Sequence, residues 1–203
     1  MALSRQDIAR SGLKLLNEVG LNGLTLRLIA ADLGVKAPAL YWHLKNKQEL
    51  LDEMATQMYR DSAEERATPA SLGEWDVVAH RARALRRMML AYRDGGKVFS
   101  GTYLADLSLV GEHPLRRSIE AGLDEGRASR ATFTVYCFVI GYVIEEQAVR
   151  PMPGEFDERY RETAGEAVLG DADVRFEDGL AMVLSGVRGW LETPGQPGSG
   201  TPV

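Results

Sequence analysis

Cysteine is nearly absent from this 203-residue sequence, which contains only Cys137. A single cysteine excludes an internal disulfide framework and agrees with a reducing compartment. The segment Met1–Gly20 lacks the basic start and continuous apolar run of a signal peptide. The longest apolar stretch, Ala131–Ile144, is shorter than the roughly 20 residues that a transmembrane helix needs. We therefore expect a cytoplasmic protein with no membrane partner.

Strand signals and catalytic signatures are scarce as well. No alternating Val, Ile and Thr runs bounded by turn pairs occur, so we expect an all-α fold. The three histidines (His43, His80 and His113) lie far apart, and neither a nucleophile elbow nor a glycine-rich phosphate loop is found. We expect no enzymatic activity, no metal site and no cofactor. Cys137 lies in an apolar segment and is predicted to be a small core residue.

Charge is distributed unevenly along the chain. Residues 1–50 contain seven Lys or Arg and four Asp or Glu, a net charge of +3, whereas the whole chain carries −5. A mildly basic head on an acidic body suits a protein that docks one end on a polyanion. Chance unevenness on a solvated surface explains the charges equally well, so charge alone leaves both interpretations open.

Apolar residues recur at helical spacing through nearly the whole chain. Ser4, Thr25 and Ser129 are placed to cap helices, and Pro38 lies in a first helical turn. We predict helices over residues 4–20, 25–33, 37–44, 46–66, 74–93, 103–124, 129–149, a segment within 157–168, and 174–191. Residues 193–203 are rich in Pro, Gly and Ser and are predicted to form a disordered tail.

The segment Leu24–Leu44 combines a short helix, a tight turn around Gly34 and a second short helix. This arrangement is typical of a helix-turn-helix unit, whose second helix enters the major groove of DNA. Leu40 and Leu44 are four residues apart and can be buried together. Their burial directs other residues of this helix outward: Pro38, Ala39, Tyr41 and Trp42. The alternative is an ordinary helical hairpin in which both aromatic side chains pack on neighbouring helices.

Several motifs resemble the TetR family of transcriptional regulators. They are Leu15–Gly20, Gly23–Thr25, Ala31–Val35, Leu40–Lys47, Tyr92–Val98, Gly101–Thr102 and Val143–Gln147. The resemblance is specific up to residue 60 and patchy beyond it. It implies an N-terminal three-helix helix-turn-helix domain (1–46) that binds DNA. It also implies a C-terminal helical domain (47–192) for ligand binding and dimerisation.

The resemblance implies that the following residues contact operator DNA: Arg27, Ala37, Pro38, Ala39, Tyr41, Trp42, His43 and Lys47. Arg27 would reach a base, because its guanidinium can bind both O6 and N7 of guanine. The aromatic, histidine and lysine side chains would mainly hold phosphates and fix the register. Well-known family members have longer polar residues at the positions of Ala37 and Ala39. Alanine can touch a thymine methyl but cannot read adenine, so we expect a different operator.

The resemblance also implies a ligand site lined by Arg81, Leu85, Met89, Phe99, Thr102, Tyr103, Tyr136 and Glu145. In tetracycline-binding members, a histidine that ligates drug-bound magnesium stands where this chain has Phe99. A phenyl ring cannot ligate a metal, so we expect no magnesium–tetracycline binding of that kind. The pocket should instead take a flat aromatic or polycyclic effector. For any one of these residues, an ordinary place in the core is the alternative, and Glu146 is predicted to be solvated.

The segment 129–149 is apolar on nearly all sides, which indicates a helix buried all round. We expect it to pair with the apolar face Phe176–Trp190 in a four-helix bundle across a two-fold axis. Such a homodimer would bind a palindromic operator and be released by a small effector, as a ligand-responsive repressor. Two alternatives stay open: a ligand-independent regulator or activator, and a small-molecule enzyme or carrier with an incidental helix-turn-helix.

Overall fold

The computed structural model describes residues 3–160 and 170–193. Those residues form helices and no β-strand, which confirms the all-α prediction. The helices are α1 (Arg5–Gly23), α2 (Leu26–Asp32), α3 (Ala37–Leu40), α4 (Lys47–Asp61), α5 (Ala63–Arg66), α6 (Glu74–Leu90), α7 (Gly95–Phe99), α8 (Arg116–Glu120), α9 (Glu125–Val149) and α10 (Ala172–Glu192). Short 3₁₀ turns occur at Leu107–Leu109 and Glu158–Tyr160. None of the described helices combines the length and apolarity that a membrane crossing requires.

Local capping signals explain where α1 begins and bends. The Ser4 hydroxyl accepts a hydrogen bond from the Asp7 N–H at 3.1 Å, and the Asp7 carboxylate accepts one from the Ser4 N–H at 3.0 Å. Ser4 thus caps α1 as predicted, and together with Asp7 it forms a complete capping box. Gly20 adopts a φ of +68°, which interrupts the helix and favours glycine. One further turn then carries α1 to Gly23.

The predicted helix over residues 103–124 is wrong. Only the 3₁₀ turn and the short α8 form there, because Pro114 lacks an N–H for a helical ladder and Gly122 has a φ of +106°. The predicted cap of α9 is also wrong, since Asp124 rather than Ser129 accepts the first-turn N–H, from Arg127 at 2.8 Å. Residues 161–169 and 194–203 lie outside the described residues. They include most of the helical segment predicted within 157–168 and nearly all of the predicted tail.

The body of the protein is built around α9, which contacts α6, α7 and α10. The apolar face of α10 packs on α9, as predicted, with the Phe176 ring 5.7 Å from the Phe138 ring. Beside it, Arg86 of α6 donates two hydrogen bonds to Glu146 of α9, at 2.9 and 2.7 Å. Both side chains of this pair are over nine-tenths buried. The prediction that Glu146 is solvated is therefore wrong.

The other described residues leave a stripe of small and apolar residues on α9 and α10 uncovered. It includes Phe133 and Met182, which are 64% and 69% exposed. Cys137 and Gly141 continue the stripe along α9 at four-residue steps. Cys137 is exposed, so its prediction as a core residue is wrong: it lies one turn from Phe133 on the face turned away from the core.

Candidate functional site

The second half of the helix-turn-helix buries its leucines and exposes its aromatics. Leu40 and Leu44 are fully buried, at 0% exposure, within the core that α1 and α2 also enter. Tyr41 is 58% exposed and Trp42 is 90% exposed. This confirms the predicted outward orientation of Tyr41 and Trp42 and excludes the alternative in which both aromatic side chains pack inside the chain. More than half of Tyr41 and nearly all of Trp42 therefore contact solvent rather than the rest of the monomer.

Glycine and proline determine the geometry of the turn that precedes these aromatics. Gly34 has a φ of +66°, and the Val35 N–H donates to the Ala30 carbonyl at 2.9 Å, which ends α2 sharply. Pro38 lies in the first turn of α3, where an N–H group has no acceptor within the helix, so the missing N–H of proline costs no hydrogen bond. Helix α3 ends at Leu40, short of the predicted Leu44, and residues 41–43 continue as a turn that the His43 and Leu44 N–H groups close on the Leu40 carbonyl.

The surface around Tyr41 and Trp42 is rich in positive charge without intramolecular counter-charge. Four side chains are exposed and make no ion pair with any described residue: Arg27, Lys36, Lys45 and Lys47. Lys14 differs, because its amine is paired with Asp32 at 2.6 Å. Pro38 is also exposed, while Ala37, Ala39 and His43 are half-buried. Unpaired cations beside exposed aromatics suit contact with a phosphate backbone.

A cavity of about 520 Å³ lies in the body of the protein. Its walls come from α4, α5, α6, α7, α9 and the segment that connects α7 to α8. The lining residues are Tyr59, Arg66, Thr68, Arg81, Leu85, Phe99, Thr102, Leu104, Leu109, Val110, Gly111 and Tyr136. The volume falls within the range of small-molecule sites.

Aromatic rings form one side of the cavity, centred on Phe99. The Phe99 ring lies 6.3 Å from the Tyr59 ring, nearly parallel to it, and 6.5 Å from the Tyr136 ring. Burial raises the pKa of the Tyr136 hydroxyl, so this group stays neutral at physiological pH. Tyr59 and Phe99 are nearly parallel, whereas Tyr136 is tilted by 54° to Phe99, so the three rings form an angled aromatic wall that an aromatic ligand can contact.

Five of the eight residues predicted for the ligand site line this cavity: Arg81, Leu85, Phe99, Thr102 and Tyr136. The other three do not. Met89 is buried in the core, Tyr103 is 65% exposed, and Glu145 is exposed on α9. Sequence reasoning missed Tyr59 and Arg66, which no local pattern marks as cavity residues. Arg66 ends the short helix α5 and has the pattern of an ordinary cation at a helix C-terminus.

The residues of the cavity do not fit a magnesium ion. Its lining contains no imidazole and no carboxylate, and Phe99 presents a phenyl ring. Mg²⁺ is held mainly by carboxylate and other oxygen ligands. Two guanidinium groups, from Arg66 and Arg81, would repel a divalent cation. Among the described residues, no group of three His, Cys, Asp or Glu side chains could hold a metal.

The cavity is joined to the N-terminal helices through the start of α7. Asp94 precedes α7 with a φ of +53°, and its carboxylate accepts a hydrogen bond from the Leu21 N–H at 2.9 Å. Next to it, the Arg93 N–H donates to the Asn17 side chain at 2.9 Å. The other end of α7 carries Phe99 into the cavity wall. One short helix thus connects a cavity wall to the end of α1.

Both halves of the chain match known families of regulators. Residues 8–54 match the model for bacterial regulatory proteins of the tetR family, and residues 69–191 match the tetracyclin repressor-like C-terminal domain. A curated relative, tetracycline repressor protein class A from transposon 1721 of Escherichia coli, is 36% identical over 196 residues. That alignment covers 91% of this chain and 90% of the relative.

Solved structures agree with this assignment. One is described as a possible TetR family transcriptional regulator from Streptomyces coelicolor A3(2). It superposes with a TM-score of 0.76 and 32% identity, over 92% of this chain and all of the other. TetR (class A) in complex with 5a,6-anhydrotetracycline and magnesium superposes with a TM-score of 0.71 and 35% identity, over 92% and 99% of the two chains. The chain therefore belongs to the TetR family of bacterial transcriptional regulators.

Proposed function

We propose that this chain is a homodimeric repressor that binds a palindromic operator and is released by a flat aromatic or polycyclic effector. The observation that carries this proposal is the outward orientation of Tyr41 and Trp42 on a helix whose leucines are fully buried. Large exposed aromatics beside unpaired cations have a physical reason only if a partner surface covers them. Relatives named as tetracycline repressors support the assignment of that partner as DNA.

The DNA-binding domain comprises residues 1–46, and the ligand-binding and dimerisation domain comprises 47–192. Within the first, Arg27 reads a base, and Ala37 and Ala39 offer only methyl contacts. The remaining contacts hold the backbone and come from Pro38, Tyr41, Trp42, His43 and Lys47. Exposure supports this proposal for Arg27, Pro38, Tyr41, Trp42 and Lys47. The shortened Ala37 and Ala39 side chains imply an operator unlike that of the tetracycline repressors.

Two copies of the chain associate through the exposed stripe of α9 and α10. Phe133 and Met182 lose their contact with water in the dimer. Gly141 and Gly186 are exposed on the same two helices and allow close approach because glycine has no Cβ. Together, α9 and α10 of both copies form a four-helix bundle. Two-fold symmetry then presents two recognition helices to a palindrome.

Release follows from the link between the cavity and α1. An effector that stacks on Phe99 displaces α7, and Asp94 transmits this movement to the Leu21 N–H at the end of α1. The effector must bind the DNA-incompetent conformation more tightly, since equal affinity for both conformations shifts nothing. The cavity of about 520 Å³ speaks against a ligand-independent regulator. The protein acts in the cytoplasm, without enzymatic activity and without a bound metal.

Selection from random DNA duplexes tests the operator half of this proposal. The enriched sequence should be a palindrome bound by two chains, and a duplex with one half-site should bind much more weakly. Failure to enrich any sequence would contradict DNA recognition. A panel of planar polycyclic compounds then tests release, with operator affinity measured by fluorescence anisotropy. Compounds that bind the cavity yet leave operator affinity unchanged would contradict the effector role.

A further inference from the structure

Two arginines in the cavity lack an acidic partner. Arg66 and Arg81 both line it, and neither forms an ion pair with a carboxylate among residues 3–160 and 170–193. Two other arginines of α6 that are partly or fully buried do have an acidic partner: Arg83 pairs with Glu177 and Arg86 with Glu146. Half-buried guanidinium groups usually gain such a partner, because burial without one is unfavourable.

Protein contacts fix Arg66 in place without neutralising it. Its Nε donates to the Ser62 hydroxyl at 3.0 Å, and one terminal nitrogen donates to the Tyr59 carbonyl. The guanidinium lies 3.3 Å from the centre of the Tyr59 ring. Its other terminal nitrogen, Nη1, has no partner among the described residues. Burial is the largest cause that lowers the pKa of Arg66, and the charge of Arg81 lowers it further.

Arg81 presents an open pair of donors. Its Nη1 donates to the Glu112 carbonyl at 2.7 Å, which orients the guanidinium plane. Its Nε and Nη2 have no acceptor among the described residues, and Nη2 lies near Gly111 in the cavity wall. Parallel N–H donors on one guanidinium edge match the two oxygens of a carboxylate.

We propose that the effector is an aromatic carboxylate, whose rings stack on Phe99 and whose carboxylate is bound by Arg81 and Arg66. This inference rests on the proposed function, because it assigns the chemistry of the ligand that the cavity takes. The anion supplies the counter-charge that the protein lacks there, and its oxygens accept the N–H groups left open. The aromatic rings of Tyr59, Phe99 and Tyr136 hold the rest of the molecule.

Matched pairs of acids and amides test this proposal on the full-length protein without DNA. The pairs are 2-naphthoate, anthracene-2-carboxylate and anthraquinone-2-carboxylate, each with its neutral carboxamide, and dissociation constants come from calorimetry. We expect the acids to bind about 10- to 100-fold more tightly than their amides, as hydrogen bonds to charged groups do. If no acid of the panel binds more tightly than its amide, the proposal is overturned.

Substitutions show which side chains cause the tighter binding of acids than of amides. Arg66→Gln and Arg81→Gln should each remove most of this difference in affinity, whereas Arg87→Gln should retain it. Arg87 lies on the same helix as Arg81 but is exposed, 3.5 Å from Glu65, and does not line the cavity. Retention of the full preference in both cavity variants would overturn the assignment. If either variant fails to fold, the acid–amide comparison on the wild-type protein still decides.

The test of the carboxylate site can fail without the proposed repressor function failing, and the reverse is also true. Equal affinity for acid and amide would overturn the carboxylate assignment and leave operator binding and release by a neutral effector intact. An acid that binds through both arginines but does not release operator DNA would contradict the effector role and leave the carboxylate site standing.

Discussion

Replacing Glu146 by alanine removes one half of the buried ion pair that joins α6 to α9. Arg86 and Glu146 are over nine-tenths buried and share two hydrogen bonds. Without Glu146, the partners of the guanidinium among the described residues are the largely exposed Asp173, at 2.7 Å, and the Phe176 ring, at 4.7 Å. Breaking such a pair costs about 3–5 kcal/mol, because a buried charge stays behind. Asp173 compensates in part, so we expect a loss of about 3 kcal/mol.

The Arg83–Glu177 pair is the matched control, because Arg83 lies one turn before Arg86 on α6. Arg83 also binds a carboxylate with two nitrogens, that of Glu177 on α10, but both side chains are nearly half exposed. Glu177→Ala should therefore cost only about 0.2–1 kcal/mol. Urea unfolding at one fixed protein concentration measures both variants, since the stability of a dimer depends on concentration. Equal effects of the two substitutions would refute the view that burial determines the contribution of the α6–α9 pair.

Three further predictions concern α7 and the cavity. Burial opposes the ionisation of Asp94, but hydrogen bonds from Leu21 and Lys97 outweigh it and lower the pKa. The stabilisation by the Asp94 carboxylate is therefore present above the unfolded pKa of about 4 and lost as pH falls through the folded pKa. In urea unfolding between pH 6 and 3, the free energy of unfolding should fall less in Asp94→Asn than in the wild type. An identical fall would argue against this contribution. In Gly95→Ala, the new Cβ would lie 2.1 Å from the Met89 carbonyl oxygen. Calorimetry should therefore show that the free energy of unfolding falls by about 1–3 kcal/mol. Wild-type stability would show that the close approach of Gly95 to Met89 is not required. Mg²⁺ should leave the affinity for anhydrotetracycline the same as in EDTA, because the lining has no imidazole or carboxylate; tighter binding with Mg²⁺ would contradict this.

The starts of α1 and α2 and the end of α2 were predictable because they depend on neighbours in sequence. The Ser4 capping box, the Thr25 cap and the turn at Gly34 each involve residues within about five positions of one another. The region after α7 was not predictable in this way. Residues 103–124 contain enough apolar residues for a helix, yet four residues of this segment line the cavity: Leu104, Leu109, Val110 and Gly111. Pro114 and the positive φ of Gly122 interrupt the helical hydrogen bonding.

The residues of the candidate site were predictable only on helices where one face is apolar and the opposite face is not. Leu40 and Leu44 define one buried face of a short helix, so the exposure of Trp42 followed from spacing alone. On α9 apolar residues occur all round, and spacing could not decide which of Glu145 and Glu146 is buried. The carboxylate that meets Arg86 is known only from the packing of α6 on α9. Arg66 likewise reaches the cavity through the fold of α5 against α6.

Operator affinity of Tyr41→Ala and Trp42→Ala tests the central claim most directly. Both side chains are largely exposed, so neither substitution should change stability by more than about 0.5 kcal/mol. Fluorescence anisotropy with the selected operator should nevertheless show a loss of about 10- to 100-fold for each, as for other interface aromatics. Tyr103→Ala, which removes an aromatic side chain of similar exposure from the body, should bind like wild type. Wild-type affinity in both Tyr41→Ala and Trp42→Ala would contradict the claim that this helix face docks on DNA.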